Sequence, residues 1–237
     1  EELTADNKPA KVAPVQGEGS ASRPGVAVRA RIGSGAQLLN YAKEKDIDRL
    51  LADPKIVAQQ KFDGMRMIIH VREAGVLATN REGQETLLPK VIGEASRVAP
   101  VGTVFDGELL SRPHTYWVFD LLAWADEDVR NQPYIDRYAR LRRQKKLFAN
   151  KKIVLVPSAK TATAKRKLYR VLQKQKAEGI VFKRGDAPYT SGRPASGGPQ
   201  LKHKFVKTAE VFITENAGNA YQMAVFDDNG KRQEVGK

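Results

Sequence analysis

Between two strand-like runs, Ile56-Val57-Ala58 and Met67 to Val71, stands the hexapeptide Lys61-Phe62-Asp63-Gly64-Met65-Arg66. β-rich runs on either side and a glycine between them dictate a sharp turn at a sheet margin, with Gly64 sparing the backbone a Cβ clash. A lysine just before such a turn has its amine at the mouth of the sheet. An amine becomes nucleophilic when a neighbouring cation or partial burial lowers its pKa, and Arg66 is the nearest candidate cation. Taken alone, Lys-Asp-Gly is also an ordinary solvated turn; the segments downstream give it weight.

The same short-run grammar continues along the chain. Glu73-Ala74-Gly75 reads as a hairpin into Val76 to Thr79, and Asn80 to Gly83 as a polar turn. Thr103 to Leu110, Tyr116 to Ala123, Ile153 to Val156, Ile180 to Lys183 and Leu201 to Val206 read as strands. Helical periodicity is expected over Ala36 to Lys45, Ile47 to Leu51, Leu88 to Val98, Tyr134 to Phe148 and Ala162 to Ala177. Gly33-Ser34-Gly35 hints at a dinucleotide loop but lacks the third glycine and a preceding strand, so it reads as a helix start. Residues 1–32, rich in Ala, Pro, Gly, Ser and charge, read as a flexible arm. The expected organisation is that arm, a domain over 33–207, and a further β unit over 208–237 with Asp228-Asn229-Gly230 as a hairpin turn.

Charge narrows the partners. The chain has a formal net charge of +14 and no cysteine, which excludes disulfides and thiolate metal sites. Its three histidines lack zinc-ligand spacing. No apolar run approaches membrane-spanning length and no secretory stretch opens the sequence, so a soluble cytoplasmic protein is the expectation. Such a basic balance points to a polyanion, above all nucleic acid. From Arg137 to Lys176 there are fifteen Lys or Arg and no Asp or Glu. Solvated faces normally mix signs, so this stretch, with Arg142, Arg143, Lys145 and Lys146 at its centre, is a candidate DNA-backbone surface.

Five segments fall in one order: Lys61 to Arg66, Phe105-Asp-Gly-Glu108, Tyr116-Trp-Val-Phe-Asp-Leu-Leu122, Glu178-Gly-Ile-Val-Phe-Lys183 and Leu201-Lys-His-Lys204. Together, over about Asp53 to Phe212, they resemble the covalent nucleotidyltransferase superfamily, and most closely its ATP-dependent DNA ligases. The resemblance implies an α+β adenylation domain of antiparallel sheets flanked by helices, followed by the start of an OB-fold barrel. It implies ATP and Mg²⁺ as co-substrate and cofactor, nicked duplex DNA as partner, and action as a monomer.

It also implies roles. Lys61 is the nucleophile that becomes lysyl-AMP. Glu108 serves the ribose or the metal, and Glu178 the metal. Phe119 matches the aromatic that stacks on adenine. Lys202 and Lys204, two apart on a strand and so on one face, clamp a phosphate. Arg81 matches a contact to ribose or nick phosphate, Lys183 adds a cation, and Asp63 and Arg66 lie toward DNA. Arg66 at the motif's last position favours ATP over NAD.

Departures from the pattern are Gln59, where many relatives have Glu near the adenine, Gln200, where many have Trp, and the family's last basic motif, which is not visible. Two alternatives stay open: an RNA ligase or capping-type nucleotidyltransferase, and a non-catalytic nucleic-acid-binding relic of the fold.

Overall fold

The computed structural model describes residues 35–205, 211–216, 220–226 and 230–236. The expectations placed on 1–32, on Gly33-Ser34 and on Asp228-Asn229 lie outside these residues.

In chain order the elements begin with β1 (Asn40–Tyr41), α1 (Ile47–Ala52), β2 (Ile56–Lys61), β3 (Met65–Arg72), β4 (Gly75–Thr79), β5 (Glu85–Thr86) and α2 (Lys90–Ser96). Then come β6 (Thr103–Ser111), β7 (His114–Trp124), β8 (Glu127–Asp128), α3 (Tyr134–Arg142), β9 (Ile153–Leu155) and α4 (Ala162–Lys174). The remainder is β10 (Gly179–Arg184), β11 (Gln200–Lys204), β12 (Phe212–Asn216), β13 (Tyr221–Phe226) and β14 (Arg232–Gly236).

A smaller sheet runs β1-β11-β10-β2, and a larger one runs β5-β4-β3-β6-β7-β8 with β9 beside β7. Within each, nearly all pairings are antiparallel; β1 on β11 and β9 on β7 are the parallel exceptions. Strands β12 to β14 form a separate antiparallel sheet, as the start of an OB-fold requires. The architecture is the α+β one expected.

Period-two alternation gives each sheet one apolar face. On the smaller sheet Ile56, Ala58, Ile180 and Phe182 pack against Leu50 and Leu51 of α1 and Leu172 of α4. On the larger, Met67, Ile69, Phe105, Leu109, Tyr116 and Val118 pack with Ile92 of α2, Leu141 of α3 and Ile153. The helices thus cover one face of each sheet. Side chains of opposite parity, from β2, β3, β6, β7, β10 and β11, are left to line a cleft.

Three expectations are corrected. The helix over Ala36 to Lys45 does not form, because tertiary partners claim its amides. Leu38 N donates to Gly192 O at 2.8 Å, Ala42 N to Lys202 O at 2.9 Å, and Gly192 N returns a bond to Ala36 O at 3.0 Å. Residues 40–41 become β1, and only Glu44–Asp46 make a 3₁₀ turn.

The Tyr134 to Phe148 helix breaks after α3. Gln144 leaves helical geometry at φ −82°, ψ 59°, and a 3₁₀ turn over Lys145–Phe148 drops Leu147 into the larger sheet's core.

The run of fifteen cations is not all surface. Arg137 is fully buried, donating to Asp120 Oδ1 at 2.8 Å and Oδ2 at 2.9 Å. Lys165 is fully buried too, its amine donating to the carbonyls of Leu50, Asp53 and Ile56, which end α1 and start β2. These two are fold-builders, satisfying carbonyls and a carboxylate that burial would otherwise leave unpaired.

Candidate active site

Register across the smaller sheet explains why distant motifs meet. Lys61 on β2 lies opposite Gly179 on β10, which lies opposite Lys204 on β11. One row along, Gln59 faces Val181, which faces Lys202. A Cβ on Gly179 would stand 2.2 Å from His203 O, so only glycine lets β10 and β11 approach this closely. That approach sets Glu178 between two amines: Lys61 Nζ donates to its Oε2 at 2.6 Å, and Lys204 Nζ pairs with Oε1 at 3.0 Å. Lys61 Nζ also donates to Phe62 O at 3.3 Å.

Gly64 has a different task from the one the turn suggested. Its φ is not in the left-handed region, but a Cβ there would meet Leu109 O at 2.5 Å. It lets the turn after Lys61 lie flat on β6.

The opposite wall comes from the larger sheet, where Arg66 on β3 faces Glu108 on β6. Arg66 lines the same cleft as Lys61, but it is not a free cation. Its guanidinium is spent on buried Asp106, with Nε to Oδ1 at 2.5 Å and an Nη to Oδ2 at 2.6 Å. Burial works against its charge, but Asp106 outweighs that and holds Arg66 above its ordinary range. Glu108 is different. Burial pushes its carboxyl up to about 7, against the pull of Arg66 and Lys61, with further upward pressure from Asp106 and Glu178. Lys183 is buried, and desolvation lowers its amine to about 7 although Asp120 favours the charge. Its Nζ sits 4.5 Å from the ring centres of Phe119 and Tyr134, and Arg66 lies 4.6 Å from the Phe119 ring. The ring of the aromatic expected to stack on a base is therefore contacted by two basic side chains.

The cleft encloses roughly 840 Å³ of open space, mouth included, and gathers Gln59, Lys61, Arg66, Arg81, Glu108, Phe119, Lys183 and Lys202. Glu178 and Lys204 join through their ion pairs. Arg81 is exposed and bound to Glu82 Oε1 at 2.6 Å. Gln59 is buried; its Nε2 donates to Val156 O at 3.2 Å, and its Oε1 has no partner. Asp63 is exposed on the turn and does not line the cleft, although Lys204 feels its charge.

Arg142, Arg143, Lys145 and Lys146 are not brought there. They are exposed at the end of α3 and the following turn, where the last three share a shallow surface with Val98, Pro100 and Trp124.

Sequence reasoning missed Leu38, Leu39, Phe62, Val181 and Arg193. Arg193 carried a weak signal as a cation in a Gly/Pro/Ser loop. Leu38 and Leu39 carried none, because their spacing reads as helix.

Among the described residues no group of three or more His, Asp or Glu could cage a metal. Mg²⁺ does not need one: it takes one or two carboxylates and completes its shell with phosphate oxygens and water. Glu108 and Glu178, close enough that the charge of Glu178 adds to the upward push on Glu108, fit that demand.

Residues 110–204 match the ATP dependent DNA ligase domain family. Among curated proteins none matches the sequence. A solved mycobacterial DNA ligase D, complexed with ATP and MES, shares the fold at TM-score 0.62 and 21% identity, over 86% of this chain and 71% of that one. A Lig E DNA ligase matches at TM-score 0.56 and 18% identity over 86% and 84% of the two chains. The Chlorella virus DNA ligase-adenylate matches at TM-score 0.55 and 18% identity over 86% and 82%. The chain thus resembles the ATP-dependent DNA ligases, in sequence over residues 110–204 and in fold along most of its length.

Proposed function

We propose that this chain is an ATP-dependent polynucleotide ligase that joins nicks in duplex DNA through lysyl-AMP. One observation carries the reading: Lys61 lines a cleft rich in cations, and its Nζ stands 2.6 Å from Glu178 Oε2. A nucleophilic amine, a base to receive its proton, and cations for a polyphosphate are what attack on an α-phosphorus demands.

In this reading Lys61 Nζ bonds to the α-phosphorus of ATP as the bond to pyrophosphate breaks. The Lys61 ammonium first gives one proton to Glu178 Oε2 to become the nucleophilic amine, and the second proton, shed as the N–P bond forms, leaves with the pyrophosphate. Lys202 and Arg193 neutralise phosphate oxygens from the smaller sheet's side, and Lys204 takes over charge when Glu178 releases it. Gln59 Oε1, an acceptor without a donor, and the Lys183 amine meet the edge of the base. Adenine offers an N6 donor and an N1 acceptor to such a pair, whereas guanine reverses both. Glu108 serves the ribose or, with Glu178, Mg²⁺, which when bound draws charge from the phosphate oxygens. A 5′-phosphate then displaces Lys61 from AMP, and a 3′-hydroxyl displaces AMP to close the strand.

Positioning and charge neutralisation dominate such transfers. The exposed Arg142, Arg143, Lys145 and Lys146 bind duplex phosphate on a surface separate from the cleft, and that binding weakens steeply with salt.

The test is transfer of label from α-labelled ATP to protein with Mg²⁺, beside Lys61→Ala. Label that vanishes in the variant supports the reading; label that persists overturns it. A binding relic of the fold would show nick affinity without label. A parallel set with GTP, and with nicked RNA in place of DNA, separates the capping-type and RNA-ligase alternatives.

A further inference from the structure

Gln37 has the spacing of a helix residue, yet it sits at the centre of a closed hydrogen-bond ring. Its backbone N–H donates to the Tyr189 hydroxyl at 2.9 Å. That hydroxyl donates to Asp106 Oδ2 at 2.8 Å. Asp106 accepts two bonds from Arg66, and an Arg66 Nη donates on to the Gln37 carbonyl at 3.4 Å. The ring therefore starts and ends on one residue: a phenol holds its amide, a guanidinium holds its carbonyl, and both hang on one buried carboxylate. The side chain is caught as well, Gln200 Nε2 donating to Gln37 Oε1 at 2.7 Å. Gln37 and Asp106 are fully buried and Tyr189 nearly so, so each broken bond would leave a group with no water to turn to.

The next two residues, Leu38 and Leu39, line the cleft. No regular element holds them. Leu38 N is bonded to Gly192 O at 2.8 Å, and Arg193 Nη1 donates to Leu39 O. The place of this wall is thus decided by Tyr189 and Arg66 and by the loop that carries Arg193.

We infer that Tyr189 is a positioning residue for the nucleotide cleft: its hydroxyl, through Asp106 and Arg66, clamps the Gln37 peptide and thereby fixes the Leu38–Leu39 wall against which the substrate binds. The inference rests on the cleft being the ATP site proposed above. It gives Arg66 a structural task besides those its motif suggested. Tyr189 touches no reacting atom; it sets where a wall stands. Removing its hydroxyl should therefore weaken nucleotide binding and leave the bond-forming step, in the Lys61–Glu178 pair across the cleft, near its normal rate.

The test pairs amide hydrogen exchange with single-turnover self-adenylylation, on the full chain and on Tyr189→Phe, which removes one oxygen. In the unaltered protein the Gln37 and Leu38 amides should be protected like those of β3, although they lie outside any long element. In Tyr189→Phe their exchange should quicken by about tenfold or more while β3 and β6 amides keep their rates. The ATP concentration for half-maximal rate should rise about tenfold, with the saturated rate within about twofold. Free exchange at Gln37 in the unaltered protein overturns the clamp, and this arm does not depend on the variant folding. Faster exchange at 36–39 with no change in ATP dependence overturns the positioning role. No label from ATP in either protein, with the exchange pattern as described, would overturn the ATP reading and with it the nucleotide-positioning role, leaving the clamp as a feature of the fold.

Discussion

Lys61–Glu178 and Arg137–Asp120 are both cation–carboxylate pairs joining elements far apart in sequence, and they end with opposite properties. Arg137–Asp120 is sealed: both side chains are essentially inaccessible, the pairing is bidentate, and Nη1 donates on to the Gln132 and Ala187 carbonyls. Lys61–Glu178 is open: its members stay 22% and 13% exposed in the cleft, one oxygen meets one amine, and Glu178 holds a second lysine with its other oxygen. The first pair has no proton or partner to exchange. The second can give up its proton or its partner without opening the core. A salt bridge marks a working site through what it leaves accessible.

Substitutions can break or sharpen this contrast. The largest effect is expected at Lys61. Lys61→Ala should abolish AMP labelling, by at least about 10³-fold, since no other group in the cleft replaces the nucleophile. Its stability cost should be well below that of breaking the sealed pair, because Glu178 keeps Lys204 as a partner. Glu178→Gln keeps the shape but cannot accept the proton, and labelling should slow by roughly 10²–10⁴-fold.

Arg137→Leu reverses the pattern. Asp120 would be left buried and uncompensated, costing about 3–5 kcal/mol in urea denaturation. Equal falls in stability at Lys61 and Arg137 would erase the distinction.

Lys183 tests the cleft by pH. Its amine is lowered from 10.5 to about 7 in the folded chain, so the unfolded chain binds the extra proton between those values. Stability from this group is therefore complete above the unfolded value and is lost as pH falls toward 7. Denaturation across pH 7 to 10 should show stability rising with pH, and Lys183→Met should flatten that rise. Glu108, raised to about 7, contributes in the opposite sense below that pH: its stability is present in acid and fades as pH climbs from the ordinary carboxylate range toward 7.

The smallest effect belongs to the outer cations. Replacing Lys145 and Lys146 with Ala should leave AMP labelling unchanged and weaken duplex binding modestly. The salt slope should fall by about one for each DNA phosphate that the two lysines neutralise.

Much of the site was legible because it is local. A lysine before a turn, a glutamate before a glycine, and lysines two apart on a strand are set by short-range rules of turn and pleat. Register then did the long-range work, since alternation on β2, β10 and β11 leaves no other face for Gln59, Lys61, Lys202 and Lys204. What could not be read depends on partners distant in sequence. Arg137 and Lys165 look like any other cation in a basic run until Asp120 and the end of α1 are placed against them. The stretch from Ala36 has helical spacing, but the amides of Gln37, Leu38 and Ala42 are claimed by residues more than 150 positions away. The motif puts Arg66 near the nucleophile, and nothing local shows that a carboxylate forty residues on holds its guanidinium.

The central claim is that Lys61, and no other amine in this lysine-rich cleft, takes the nucleotide. The most direct measurement is peptide mass mapping of the full chain after incubation with ATP and Mg²⁺. The expected product is a single AMP adduct on the Lys61 side chain, stable in base and cleaved in acid as a phosphoramidate is. An adduct on Lys183, Lys202 or Lys204, or none on protein shown to be folded and free of bound AMP, would contradict it.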